Sequence, residues 1–215
     1  MLHCYLTVSG SGEAEIEINK SRFIAYVQRV ETEEEAVTFI DQIKKKHWNA
    51  THNCSAYVIG ENDQYQKADD DGEPSGTAGK PILEILKKGK LKNTVIVVTR
   101  YFGGIKLGSG GLIRAYGKSA SAGIKAVGVV ERQNHTRIGV EIEYTFLGVM
   151  ENQLRIQGYR IEDKEFTDKI RLIVLEKVGQ EEILEQKAID WTAGQVNFTR
   201  EGYTYVDTLV SDQEQ

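Results

Sequence analysis

A chain of 215 residues with 40% hydrophobic and 27% charged residues has the composition of a globular protein, long enough for one large domain or two small ones, and wholesale disorder is excluded. No apolar run approaches the roughly 20 residues needed to span a bilayer as a helix. The formal net charge of −5 taken alone argues against a nucleic-acid partner, but the charges are segregated: residues 1–130 carry 17 Lys+Arg against 15 Asp+Glu, and residues 131–215 carry 10 against 17. Residues 80–125 alone hold ten basic residues and one acid, Glu84. A partner at contact distance feels that local field, because screening at physiological salt acts over about 8 Å.

Met1 to Val8 lacks a basic stretch followed by an apolar one, so no secretory signal is expected. With only Cys4 and Cys54, the expectation is two reduced thiols in a cytoplasmic protein. Ala14–Val30 reads as a strand, or as two strands with a turn at Asn19-Lys20-Ser21. Thr32-Glu33-Glu34-Glu35 spells a capping box, and Ala36, Val37, Ile40 and Ile43 then fall on one helical face. Lys44–Lys46 are explained by the negative end of that helix. Cys54–Ile59 is a short apolar strand. Cys54 as a nucleophile served by His47 or His52 is the alternative to a small buried residue opening that strand, and the latter is favoured because His52 lies on the same run.

Asp69–Gly79 contains no hydrophobic side chain larger than Ala78 and must be a loop. A short helix through Ile82, Leu83, Ile85 and Leu86 stops at Gly89. Thr94–Thr99 is a continuous run typical of a strand covered on both faces, and Leu112–Val127 reads as a helix packed through small residues. Further on, His135–Thr145 alternates as a strand, Phe146–Gln157 has helical spacing, and Arg160–Phe166 with Lys169–Val178 form a hairpin. Glu181–Trp191 is helical and Val196–Val210 strand-like. The order β-α-β-β-α-β is the ferredoxin-like pattern. The expected domains are residues 1–131 and 134–210.

Two segments carry chemistry. In the acidic loop Asp69-Asp70-Asp71-Gly72-Glu73, no phosphate-loop motif is present, because Pro74 and Pro81 stand where glycine and Ser or Thr belong. An EF-hand would put Ala78 at its bidentate Glu position. The acids Asp69, Asp70, Asp71 and Glu73 suit a Mg²⁺ ion held beside a phosphate ligand, or simply an acidic turn. No cofactor and no certain metal is expected otherwise. The second segment runs from Arg100 to Tyr116 with Gly103, Gly104, Gly108, Gly110 and Gly111 inside nine residues, between a strand and a helix. Bare backbone N–H groups at a helix start attract anions. Lys80, Arg100, Lys106 and Arg114 add cations, Ser109 a hydroxyl, and Tyr101, Phe102 and Tyr116 surfaces for stacking. Close packing of backbones at a tight corner is the alternative; both can hold at once, and the anion-binding reading is the favoured one. No nucleophile elbow and no dinucleotide fingerprint is present.

The segments Asp70–Leu83 (DDGEPSGTAGKPIL) and Arg100–Tyr116 (RYFGGIKLGSGGLIRAY), with Ser21–Ala25 (SRFIA), closely resemble the YigZ/IMPACT family. The resemblance implies an α+β protein whose N-terminal fold is like the second domain of ribosomal protein S5. It also implies a C-terminal ferredoxin-like domain similar to the last domain of translation factor EF-G. Eukaryotic members of the family regulate translation by binding a partner that activates an initiation-factor kinase, but they carry a different accessory domain, so that partner does not transfer. The leading expectation is a non-catalytic regulator of translation that binds RNA or the ribosome through segment 80–125. A Mg²⁺-dependent enzyme or binding protein for a phosphorylated small molecule, on the S5-like fold shared with small-molecule kinases, is the second. A protein adaptor working through the acidic C-terminal part is the third. No catalytic residue is assigned and no membrane partner is expected.

Overall fold

The computed structural model describes residues 3–210. The chain forms two compact units, one running to Arg132 and resuming at Asp207, the other spanning Gln133–Val206.

The first unit contains β1 (Cys4–Val8), β2 (Ser11–Ile18), β3 (Ser21–Arg29), α1 (Glu33–Lys46), β4 (His52–Ile59), β5 (Tyr65–Asp69), α2 (Gly79–Lys88), β6 (Thr94–Tyr101) and α3 (Gly108–Val127). Five strands form an antiparallel sheet in the order β2-β3-β6-β4-β5. Asn19 and Lys20, at φ 48° and 64°, make the two-residue turn between β2 and β3, the left-handed geometry that matches hairpin twist. β6 lies in the middle of the sheet with Thr94 to Arg100 all buried, as its unbroken apolar run requires. On one face Phe23, Ala25, Cys54, Ala56, Ile96 and Val98 pack against Ile82 and Leu86 of α2 and Leu112 and Tyr116 of α3. Ile24, Tyr26, Tyr57, Val95 and Val97 meet Ala36, Phe39 and Ile43 of α1 on the other. α3 comes close because its inward residues are small; a Cβ on Gly123 would lie 2.8 Å from Val27 and 2.9 Å from Ala25.

The N-terminal cap of α1 differs slightly from a reciprocal capping box. Thr32 accepts the Glu35 N–H, but the Glu35 carboxylate takes the N–H of Glu31 rather than that of Thr32. α3 begins at Gly108, four residues ahead of Leu112, so Gly108-Ser109-Gly110-Gly111 form its first turn instead of a preceding loop. Four poor helix formers hide that start from propensity, while burial of Leu112, Ala115 and Tyr116 holds the turn in register. β1, too short to show a period, was not apparent in the sequence.

The second unit is ferredoxin-like. β7 (Val129–Ile142) leads through a 3₁₀ turn (Tyr144–Phe146) to α4 (Leu147–Ile156), β8 (Arg160–Phe166), β9 (Ile170–Lys177), α5 (Glu181–Trp191) and β10 (Val196–Leu209). The strand order is β10-β7-β9-β8. Ile138, Val140, Ile142, Leu172 and Val174 bury one sheet face against Met150 and Leu154 of α4 and Leu184 and Ala188 of α5. β7 starts six residues before His135, because Gly128, at φ 83°, ends α3 and turns the chain straight into the strand.

Candidate functional site: a glycine-lined helix start above a buried ion pair

At the end of β6 the chain passes from a buried strand to a helix, and the acidic loop lies against that passage. Asp70 closes the loop. Its carboxylate accepts N–H bonds from Gly76 (2.7 Å), Ala78 (3.0 Å) and Gly79 (2.8 Å), so the positive end of α2 is already neutralised from within. Burial raises the Asp70 pKa, and the three backbone donors from Gly76, Gly79 and Ala78 outweigh it and hold the carboxyl below its ordinary value. Asp71 accepts from the Asn53 N–H at 2.7 Å and pairs with Lys44 at 2.7 Å, while Asp69 lies 3.5 Å from the same lysine. Lys44 therefore joins the acidic loop to α1, a role beyond completing its helix end.

Glu73 is the one acid of the loop that is buried, at 8% exposure, and Arg100 beside it is 5% exposed. One Glu73 oxygen accepts from the Arg100 guanidinium at 2.5 Å and from the Tyr116 hydroxyl at 2.8 Å, and His52 Nε2 lies 3.8 Å from the other. The Arg100 guanidinium sits 5.4 Å from the ring centres of both Phe23 and Phe102. Its Nε is buried without a hydrogen-bond partner among the described residues. Cys54 Sγ is 3.0 Å from the Asp70 carbonyl and 3.3 Å from the Tyr116 hydroxyl. Burial pushes the thiol well above its ordinary pKa, which disfavours the thiolate a nucleophile needs. Burial likewise drives the Tyr116 phenol far up.

These placements sort the residues that the sequence groups together. Arg100 and Tyr116, expected to offer a cation and a stacking surface, lie inside the protein; the in-phase spacing of Arg100 with Ile96 and Val98 carries it to the core face of β6. Tyr101 is half-buried on the opposite face, its hydroxyl bonded to His47 (2.9 Å) and Asn49 (3.3 Å). Lys80, Phe102, Lys106, Ser109 and Arg114 reach the surface.

The glycines divide as well. A Cβ on Gly103 would stand 2.0 Å from the Lys20 carbonyl, and one on Gly79 would stand 2.6 Å from the Asp69 backbone, so both permit backbones to touch. A Cβ on Gly111 would meet Leu107 at 3.0 Å. Gly104 and Gly108, at φ 86° and 69°, turn the chain into α3, and among the described residues a Cβ added at either would meet nothing within 4 Å. Gly110 has only the tip of Arg114 within reach, at 3.6 Å. α3 has no side-chain N-cap and no acid in its first turn. Its start is thus an open set of N–H donors between Lys106 and Arg114, unlike the self-capped start of α2.

The acidic side chains are engaged individually: Asp70 with backbone, Asp69 and Asp71 with Lys44, Glu73 with Arg100. Among the described residues, no three His, Cys, Asp or Glu side chains converge as a metal site. No helix among them is long and apolar enough to cross a membrane.

Comparison with known proteins covers both units. Residues 19–124 match the model of the Impact N-terminal domain, and residues 140–195 match a domain of unknown function (DUF1949). The chain is 51% identical to the IMPACT family member YvyE of Bacillus subtilis over 211 residues, covering 98% of this chain and 97% of that protein. It is 38% identical to the IMPACT family member YigZ of Escherichia coli over 130 residues, 60% of this chain and 64% of the other. A crystal structure described only as that of a hypothetical protein superposes with a TM-score of 0.60 at 29% identity, covering 94% of this chain and 99% of that one. With the SRFIA, DDGEPSGTAGKPIL and RYFGGIKLGSGGLIRAY segments all inside the Impact N-terminal match or at its core, and near-full-length identity to YvyE, this chain belongs to the IMPACT family.

Proposed function

We propose that this protein is a non-catalytic, translation-associated regulator that binds RNA or the ribosome at the start of α3. The observation that carries the reading is the contrast between the two glycine-rich helix starts. That of α2 is closed by Asp70, whereas that of α3 has no cap and no acid, and is flanked by the exposed Lys106 and Arg114. Lys80, Lys118 and Lys125 extend the same sign of charge along the segment. Family membership supports the link to translation, which the resemblance implies for eukaryotic members. Phosphate contacts release counterions, so affinity for RNA should fall linearly in log–log form as salt rises. Filter binding and co-sedimentation with ribosomes across a salt series test this; absence of any RNA affinity at about 50 mM salt would sink it.

The same uncapped Gly-Ser-Gly-Gly turn also suits the phosphate of a small molecule. A Mg²⁺-dependent rise in melting temperature with ATP, absent when Gly110→Glu is introduced, would favour that second reading over the first.

A further inference from the structure

We infer that the ligand is a single strand of RNA whose unpaired bases stack on Trp48 and Phe102; this rests on the function proposed above. Trp48 occupies the turn between α1 and β4 and is 83% exposed, an unusual position for an indole that no core requires. The turn itself is firmly tied to the end of β6. Thr51 N–H donates to the Arg100 carbonyl (2.8 Å), Phe102 N–H donates to the Thr51 hydroxyl (3.0 Å), and the Tyr101 hydroxyl reaches Asn49 (3.3 Å). His47, next to Trp48, is bonded through one ring nitrogen to the Tyr101 hydroxyl and through the other to that of Tyr26 (2.7 Å). The backbone that carries this exposed indole is thus held in place before any ligand arrives, which lowers the entropy lost on binding.

Phe102, 47% exposed, follows Tyr101 in the adjoining loop. The β2–β3 turn abuts the same place, since the Lys20 backbone touches Gly103. Three turns thus meet at the end of β6; Lys20 and Lys106 lie on two of them and Arg114 reaches back to Gly110 from within α3, all three exposed and with no acidic partner among the described residues. Their neighbours are already neutralised: Arg22 by Glu15, Lys44 by Asp71 and Lys46 by Glu13. Uncompensated cations interleaved with exposed aromatic rings match a chain of alternating phosphates and bases. A duplex offers the phosphates but keeps its bases stacked internally, so it has nothing to place on Trp48.

The chain has two tryptophans, and Trp191 belongs to α5 of the second unit. In a Trp191→Phe variant, Trp48 is the sole indole and reports its own contacts. Titration with an oligouridylate of about a dozen nucleotides should quench its fluorescence saturably, whereas a duplex of the same length should not. Trp48→Ala should weaken single-strand binding about ten- to a hundred-fold without changing the melting temperature, and Trp48→Phe should retain most of it. Equal affinity for duplex and single strand, or unchanged affinity in Trp48→Ala, overturns the stacking site while leaving RNA binding in place. Quenching by an acidic peptide but not by the oligonucleotide also overturns it. Absence of binding to either RNA at low salt overturns the proposed function, and the inference with it.

Discussion

Glu73 is the side chain on which the acidic loop and the glycine segment meet. Removing one member of a buried pair strands the other, so Glu73→Ala should lose about 3–5 kcal/mol, measured by urea unfolding, because Arg100 is left charged and buried. Replacing both partners with apolar residues, as in Glu73→Leu with Arg100→Met, should lose markedly less than the single change. In the sequence Glu73 is one of four loop acids with nothing to distinguish it. The pairing joins residues 27 apart, and only the phase of Arg100 within the TVIVVTR run pointed inward. Trp48 was illegible for the opposite reason: it sits outside any hydrophobic period, so a search for core patterns and glycine motifs passes over it.

At the scale of elements, the two helix starts call for opposite substitutions. Asp70→Ala removes three N–H bonds at α2 and should lose about 1–2 kcal/mol at neutral pH. Because the folded Asp70 titrates below its ordinary value, its contribution is complete above the unfolded carboxylate pKa, near ~4, and drains away as pH falls through the folded value. The stability gap between wild type and Asp70→Ala, followed by urea unfolding at successive pH values, should therefore close in acid. In the loop ahead of α3, Gly103→Ala drives a methyl into the Lys20 carbonyl and should destabilise by at least about 1–3 kcal/mol. Gly110→Ala meets only the Arg114 tip and should be neutral or gain up to about 1 kcal/mol from helix propensity, while weakening RNA binding if bare backbone is what the ligand approaches. Thermal melts paired with binding curves separate these outcomes. The strong elements β3, α1, β6 and the helices and hairpin of the second unit were legible because burial imposed their periods. The first turn of α3 was not, since glycines carry no period and tertiary packing alone places it there.

For the whole molecule, net charge conceals the surface that matters, and the salt dependence of binding should reveal it. Lys106→Ala and Arg114→Ala should each lower the log–log salt slope by roughly one, whereas Lys46→Ala, which removes a cation already paired with Glu13, should leave it nearly unchanged. Equal losses from all three would move the site away from α3. The ferredoxin-like order was visible in the sequence as an alternation of elements; the return of the chain to the first unit at Asp207 was not, because it depends on which strand ends pair. That return has a consequence of its own. Val210 N–H bonds to the Val129 carbonyl, Arg132 Nε lies 3.5 Å from Asp207, and Arg29 holds the same carboxylate at 2.6 Å. The chain leaves the first unit and re-enters it through neighbouring residues, so the second unit is topologically a cassette spliced into a closed body. Both core clusters of the body that bears Glu73, Trp48 and α3 are built from residues that precede the inserted stretch, so that body needs nothing from the cassette to fill its interior.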